Sequence, residues 1–105
     1  MNSYNKYTDL QINELVATRL KKKCLLTEES VLAYMDSGYR TFDPCNNPTD
    51  AMPIIIENKI GLSPMYHSNK WTADCLDYDF ISVNKNPYRG AMEVFLMMKE
   101  AEDNK

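Results

Sequence analysis

A single histidine limits the chemistry open to this chain. Any Ser/His or Cys/His nucleophile pair would have to use His67, because a hydroxyl or thiol needs a neighbouring base to attack at neutral pH. His67 is followed by Ser68 and Asn69, which read as a turn, and a solvated turn residue is the expected role. Asp74, Asp77 and Asp79 form the best cation-binding series, since hard divalent ions take carboxylate oxygens. The series lacks the glycine and the closing glutamate of a calcium loop, and Leu76, Tyr78 and Phe80 between its members read as structural. Its carboxylates are therefore expected to be solvated loop charge. There is no Gly-x-Ser-x-Gly elbow, no phosphate-cradling glycine loop and no His-Glu-x-x-His helix, and only three glycines are present. No catalytic residue, metal ligand or cofactor is assigned, and the chain is not expected to be an enzyme. A metal-assisted hydrolase built on the three aspartates is the most distant alternative.

Binding residues are easier to nominate. Asn46, Asn47 and Asp50 stand at a helix start, where bare backbone N–H groups could meet a ligand, although the same side chains suit internal capping. Trp71 is the only tryptophan, and with Tyr34, Tyr39, Tyr66, Tyr78 and Tyr88 it could line one exposed surface of the kind partner interfaces enrich. Core or core-edge packing is the simpler reading for each ring alone. Arg19, Lys21, Lys22 and Lys23 form a basic run. It could hold nucleic acid through phosphate contacts that weaken steeply with salt, but a basic run at a helix end more often complements the helix dipole.

The elements that must position these groups follow from capping and periodicity. Thr8 with Gln11 has capping-box spacing, and Ile12, Leu15, Val16 and Leu20 mark one face of a first helix ending near Lys22. Residues 24–42 read either as a short helix capped at residues 27–30 or as two strands, 31–35 and 39–42, around Asp36, Ser37 and Gly38. The β-branched and aromatic content favours the hairpin. Asn47 and Pro48 start the central helix. Pro53 within it implies either a kinked first turn or a later start capped by Asp50, and both readings bury Ile54, Ile55, Ile56 and Ile60. Ile60 and Gly61 end that helix. Two strands then follow about Ser68 and Asn69, with Trp71, Ala73 and Cys75 on one face and Pro64 on an edge. Phe80, Ile81 and Val83 suit a third strand. Asn86 and Pro87 repeat the capping device ahead of a last helix that is apolar on nearly every side except Glu93. Such a helix is covered either by a sheet and another helix or by a homodimer contact.

Size and charge set the outer limits. The chain has 105 residues, enough for one domain and one core. Residues 8–100 are expected to form it, between a frayed start at residues 1–7 and a polar tail at residues 101–105. The net charge of −3 argues against a general nucleic-acid binder, although residues 1–23 carry net positive charge. Three widely spaced cysteines, without a Cys-x-x-Cys pair, fit a reducing compartment. No apolar run approaches the ~20 residues of a membrane span.

Residues 45–60, Cys-Asn-Asn-Pro-Thr-Asp-Ala-Met-Pro-Ile-Ile-Ile-Glu-Asn-Lys-Ile, resemble the NinX family of tailed-phage proteins. The similarity continues through Trp71 and into residues 86–98, Asn-Pro-Tyr-Arg-Gly-Ala-Met-Glu-Val-Phe-Leu-Met-Met. Met52 stands where the family pattern leads one to expect tryptophan, and Gly90 where alanine is usual. The resemblance implies an accessory protein from the early region of lambdoid phages, near recombination and antitermination genes. It also implies a small sheet sandwiched by helices, in line with the α+β reading of three α-helices and an antiparallel sheet of three or four strands. It supplies no activity. The favoured function is a non-enzymatic module that binds a host or phage protein in the host cytoplasm, with a nucleic-acid-associated factor of phage replication or recombination as the alternative.

Overall fold

The computed structural model describes residues 2–35, 37–76 and 79–104. A 3-10 turn (Ser3–Lys6) leads into α1 (Asp9–Arg19), and strands β1 (Cys24–Leu26), β2 (Val31–Met35) and β3 (Gly38–Thr41) follow. Next come α2 (Pro48–Glu57), strands β4 (Ile60–Pro64), β5 (Trp71–Cys75) and β6 (Ile81–Asn84), and the long α3 (Pro87–Asp103). The α+β class with three helices holds. The strands divide into two three-stranded antiparallel sheets, β1-β2-β3 and β4-β5-β6, where one small sheet was expected.

All three helices begin on the expected caps. Thr8 and Gln11 close a reciprocal capping box, with Gln11 N donating to Thr8 Oγ1 at 3.1 Å and Thr8 N to Gln11 Oε1 at 2.9 Å. Asn47 Oδ1 accepts from Thr49 N, and Asn86 Oδ1 accepts from Tyr88 N and Arg89 N. Pro48 and Pro87 take the first helical positions, where a missing N–H costs nothing. Asn47 rather than Asp50 is the cap of α2, and the helix runs on through Pro53.

α3 is the core of the molecule. Ten consecutive residues, from Arg89 to Met98, are buried, because the helix packs on β4, β5 and β6, on α1 and α2, and on the N-terminal turn. Its apolar girth is thus covered within one chain, which removes the reason for placing a homodimer contact there. In α1, Ile12 and Val16 are fully buried as expected, and Asn13 is buried too, since its side chain bonds the loop that follows β3.

Several boundaries differ from the sequence reading for physical reasons. Ala51, Ile54 and Ile55 share the buried face of α2, whereas Ile56, five residues beyond Ala51, turns to solvent and is 68 % exposed. Ile60 opens β4 instead of closing the helix. α1 ends at Arg19, with Lys21 in the left-handed region at φ 58°. The expected 31–35 and 39–42 hairpin is present as β2 and β3, with Tyr34 opposite Tyr39; Asp36 lies outside the described residues. β1, too short to show a period, pairs with β2. β4 is an edge strand ending at Pro64, as the proline requires.

The third strand of the second sheet exists, but its sides are reversed from what hydropathy suggests. Ser82 faces inward and is 2 % exposed, while Ile81 and Val83 face out. At the N-terminus, where fraying was expected, Asn2 donates to Ser82 and Glu93, and Tyr4 Oη to Glu100. At the other end, α3 continues through residue 103 of the expected polar tail.

Candidate functional site

Between α2 and the first sheet lies an open groove of about 360 Å³, within the ~300–1,000 Å³ typical of ligand sites. Leu20, Met35, Phe42, Pro53 and Ile54 supply its apolar surfaces. Lys22 and Arg40 border it from the α1–β1 connection and β3, while Asp50 and Glu57 border it from α2. Met52, 36 % exposed, and Ile56 lie on the same helix outside the buried face.

The two cations are held by soft contacts. Lys22 Nζ stands 5.4 Å from the Phe42 ring centroid, a cation–π distance, and Arg40 Nη2 donates to Met35 Sδ at 3.1 Å. Neither makes an ion pair among the described residues. An apolar groove flanked by opposite charges can take an apolar side chain and read the charges beside it.

The groove gathers residues from separate parts of the sequence reading. Asp50, nominated for ligand binding, and Lys22, nominated for phosphate, both line it. The rest of the basic run goes elsewhere. Arg19 pairs with Asp103 near the end of α3, and that hydrogen bond raises the arginine pKa above its ordinary value. Lys23 Nζ lies 5.8 Å from the Tyr34 ring centroid, and Lys21 is exposed.

Asn46 and Asn47 serve the scaffold. Asn47 caps α2, and Asn46 Nδ2 donates to Asp9 and Asp43 while its Oδ1 accepts from Asn86 Nδ2 at 3.1 Å. Asn86 Nδ2 also donates to Cys45 O at 2.6 Å, and Cys45 N donates to Asn13 Oδ1. Asp50 Oδ2 accepts from Asp43 N at 2.9 Å. The loop at residues 42–47 is thereby bonded to the starts of all three helices. The cleft above it holds only about 150 Å³, too little for a drug-sized ligand. Trp71 is elsewhere: it is half-buried in β5 opposite Pro64 and Asn84 and does not line the groove.

A buried ionic network was missed by sequence reasoning. Arg89 donates from Nε to Glu93 Oε2 at 2.6 Å, from Nη1 to Asp9 Oδ1 at 2.7 Å, and from Nη2 to the carbonyls of Tyr4 and Tyr7. Glu93 Oε1 accepts from Ser82 Oγ and Asn2 Nδ2, each at 2.6 Å. Burial pulls the Arg89 pKa down, but its hydrogen bonds to Asp9 and Glu93 outweigh this and raise it overall. Every donor and acceptor in this network faces another part of the chain, so its role is to hold the N-terminal turn against α3. The available sequence signal was a lone Glu93 in an apolar helix with an arginine four residues before it.

Of the other candidates, Cys45 is fully buried, and burial and the nearby Asp9 charge push its thiol pKa far up, away from reactivity. His67 is exposed, with its ring 4.2 Å from that of Tyr66. Asp74 lies exposed beside Gly61 on the outward face of β5, and Asp79 is exposed; Asp77 is outside the described residues. No helix among the described residues is long and apolar enough to cross a membrane.

Three helices, two antiparallel sheets and a charged-rimmed open groove define a small α+β domain. A family model described as Bacteriophage P22, NinX matches residues 3–99, and the chain belongs to that family. It is accordingly a phage accessory protein. Among curated proteins no match is found.

Proposed function

We propose that this protein is a non-enzymatic module that acts in the host cytoplasm by binding a host or phage protein in the groove between α2 and the first sheet. The observation that carries the reading is an open apolar groove bordered by Lys22 and Arg40 on one side and by Asp50 and Glu57 on the other. Partner interfaces combine an apolar centre with a polar rim in this way. An apolar side chain of the partner would occupy the space between Phe42 and Ile54, and Arg40 and Glu57 would fix the orientation of the segment that carries it. Dispersal of the basic run speaks against the nucleic-acid alternative, since Arg19 is committed to Asp103 and Lys23 rests on Tyr34.

The test is site-specific photocrosslinking in infected cells, with the photoreactive residue at Met52 or Glu57 and, as control, at Asp79. A discrete protein adduct is expected from the first two positions, and Arg40→Glu combined with Lys22→Glu, both at the groove border, should abolish it. Adducts no different from the Asp79 control would overturn the reading.

A further inference from the structure

The side of the first sheet that faces away from the groove is an uncovered apolar surface. Register puts Leu25, Leu32 and Thr41 in one row across β1, β2 and β3. The next row holds Tyr34 and Tyr39, with Lys23 joined to it by Tyr34 N donating to Lys23 O. Residues of both rows point away from Val31 and Ala33, which are buried on the inner side. Leu25 is 51 % exposed, Tyr34 46 % and Tyr39 39 %. The tyrosine rings meet edge to face, 5.3 Å apart, so the surface is already organised.

Charge divides this surface along the strands. Lys21 and Lys23 precede β1 at one end, and Glu28 and Glu29 form the turn between β1 and β2 at the other. That turn is held by Thr27 N donating to Ser30 O at 2.9 Å and by Ser30 N donating to Thr27 Oγ1 at 2.9 Å. None of the four charges makes an ion pair among the described residues. Among the described residues the surface is basic at one end, acidic at the other and apolar between, and such a pattern is its own complement under a two-fold rotation.

We propose that this face is a homodimer interface, with a second copy of the chain as its occupant. The two-fold axis lies between the two sheets and runs across their strands at the Leu25–Leu32–Thr41 row. Rotation about it sets the lysine end of each copy over the glutamate end of the other, so every contact is made twice, as an isologous interface requires. The apolar rows of both sheets then close on one another face to face. The groove lies on the opposite side of the same sheet and stays open, so dimerisation and partner binding are separable.

Sedimentation equilibrium of the full chain across a concentration series tests this. The wild type is expected to approach twice its 12.2 kDa mass, and high salt should weaken association because the charge pairs lie at the rim. Lys21→Glu/Lys23→Glu and Glu28→Lys/Glu29→Lys should each weaken the homodimer by roughly tenfold or more. Mixing these two variants should give a heterodimer, and combining all four changes in one chain should restore self-association. Tyr34→Ser/Tyr39→Ser, with retained folding verified by circular dichroism, should be monomeric. A wild type that stays monomeric at the highest soluble concentration overturns the proposal. So does a dimer indifferent to both charge reversals and to the tyrosine changes, which would place the contact elsewhere. Neither result bears on the photocrosslinking outcome at the groove.

Discussion

Glu93 holds three donors in a space closed to water, and its stability effect can be measured directly. Glu93→Gln keeps the shape but turns one acceptor oxygen into a donor that must face Arg89, Ser82 or Asn2. Asp9 still neutralises Arg89 in part, so the expected cost is about 2–3 kcal/mol in urea unfolding. A loss below about 0.5 kcal/mol, the usual scale for an indifferent surface change, would contradict the packing described here. Tyr4 makes a pH-dependent contribution. Burial, followed by the hydrogen bond to Glu100, raises its phenol pKa from 10.0 to about 12. The folded state thus favours the neutral phenol, and that contribution is complete below pH 10 and fades as the pH climbs towards 12. Tyr4→Phe should flatten this part of the stability curve, and a curve parallel to wild type across that window would refute the assignment. At this scale the sequence disclosed groups whose partners lie close in the chain. Thr8, Asn47 and Asn86 were readable as caps because a cap needs only the next turn. Arg89 was not, because its carbonyl partners at Tyr4 and Tyr7 are more than 80 residues away in sequence.

Gly90 is an element-scale anomaly. It occupies the first turns of a helix whose neighbours are all well-packed side chains, and the resemblance to the NinX family had marked it as a departure. A Cβ placed there would meet Ala73 Cβ at 3.6 Å, and Asn84 Cβ and Ser82 Oγ at 3.7 Å, all ordinary contact distances. Neither space nor backbone requires the glycine, so Gly90→Ala should stabilise the protein by about 1 kcal/mol through helix propensity. Thermal and urea unfolding would check this, and a destabilised variant would show that α3 sits closer to the second sheet than described. The strands show why some elements were legible and others hidden. β2 and β5 carry a period of two that matches their burial, whereas β3, half-buried at Gly38 and exposed from Tyr39 to Thr41, does not. β1 is three residues long, too short to carry a period, and β6 inverts the rule because Ser82 is needed inside by Glu93. Hydropathy misassigns a strand when a buried charge elsewhere dictates its facing. Ile56 shows the same limit, since a run of three isoleucines in a helix cannot all face one way.

For the whole molecule, the two sheets differ in their relation to α3. The second sheet is fastened to the helix along its length, whereas the first reaches the rest of the domain mainly through α1 and leaves the groove beside α2. Proposed partner binding and proposed self-association both fall on the first sheet, on its two opposite sides. The candidate groove was only half visible beforehand. Lys22 and Asp50 were nominated for unrelated reasons, and only the β1-β2-β3 pairing brings Arg40 and Met35 to the same place.

The six residues that join β3 to α2 act as a splice at which three rods share one fastening, and this bears on how related sequences can vary in length. Adding or removing one residue between Phe42 and Asn47 would shift Cys45 and Asn46 out of register with Asn13, Asp9 and Asn86 together. The connection between β4 and β5, exposed throughout residues 65–70, has no comparable obligation. Length variation among relatives should therefore collect in that outer hairpin and spare the splice.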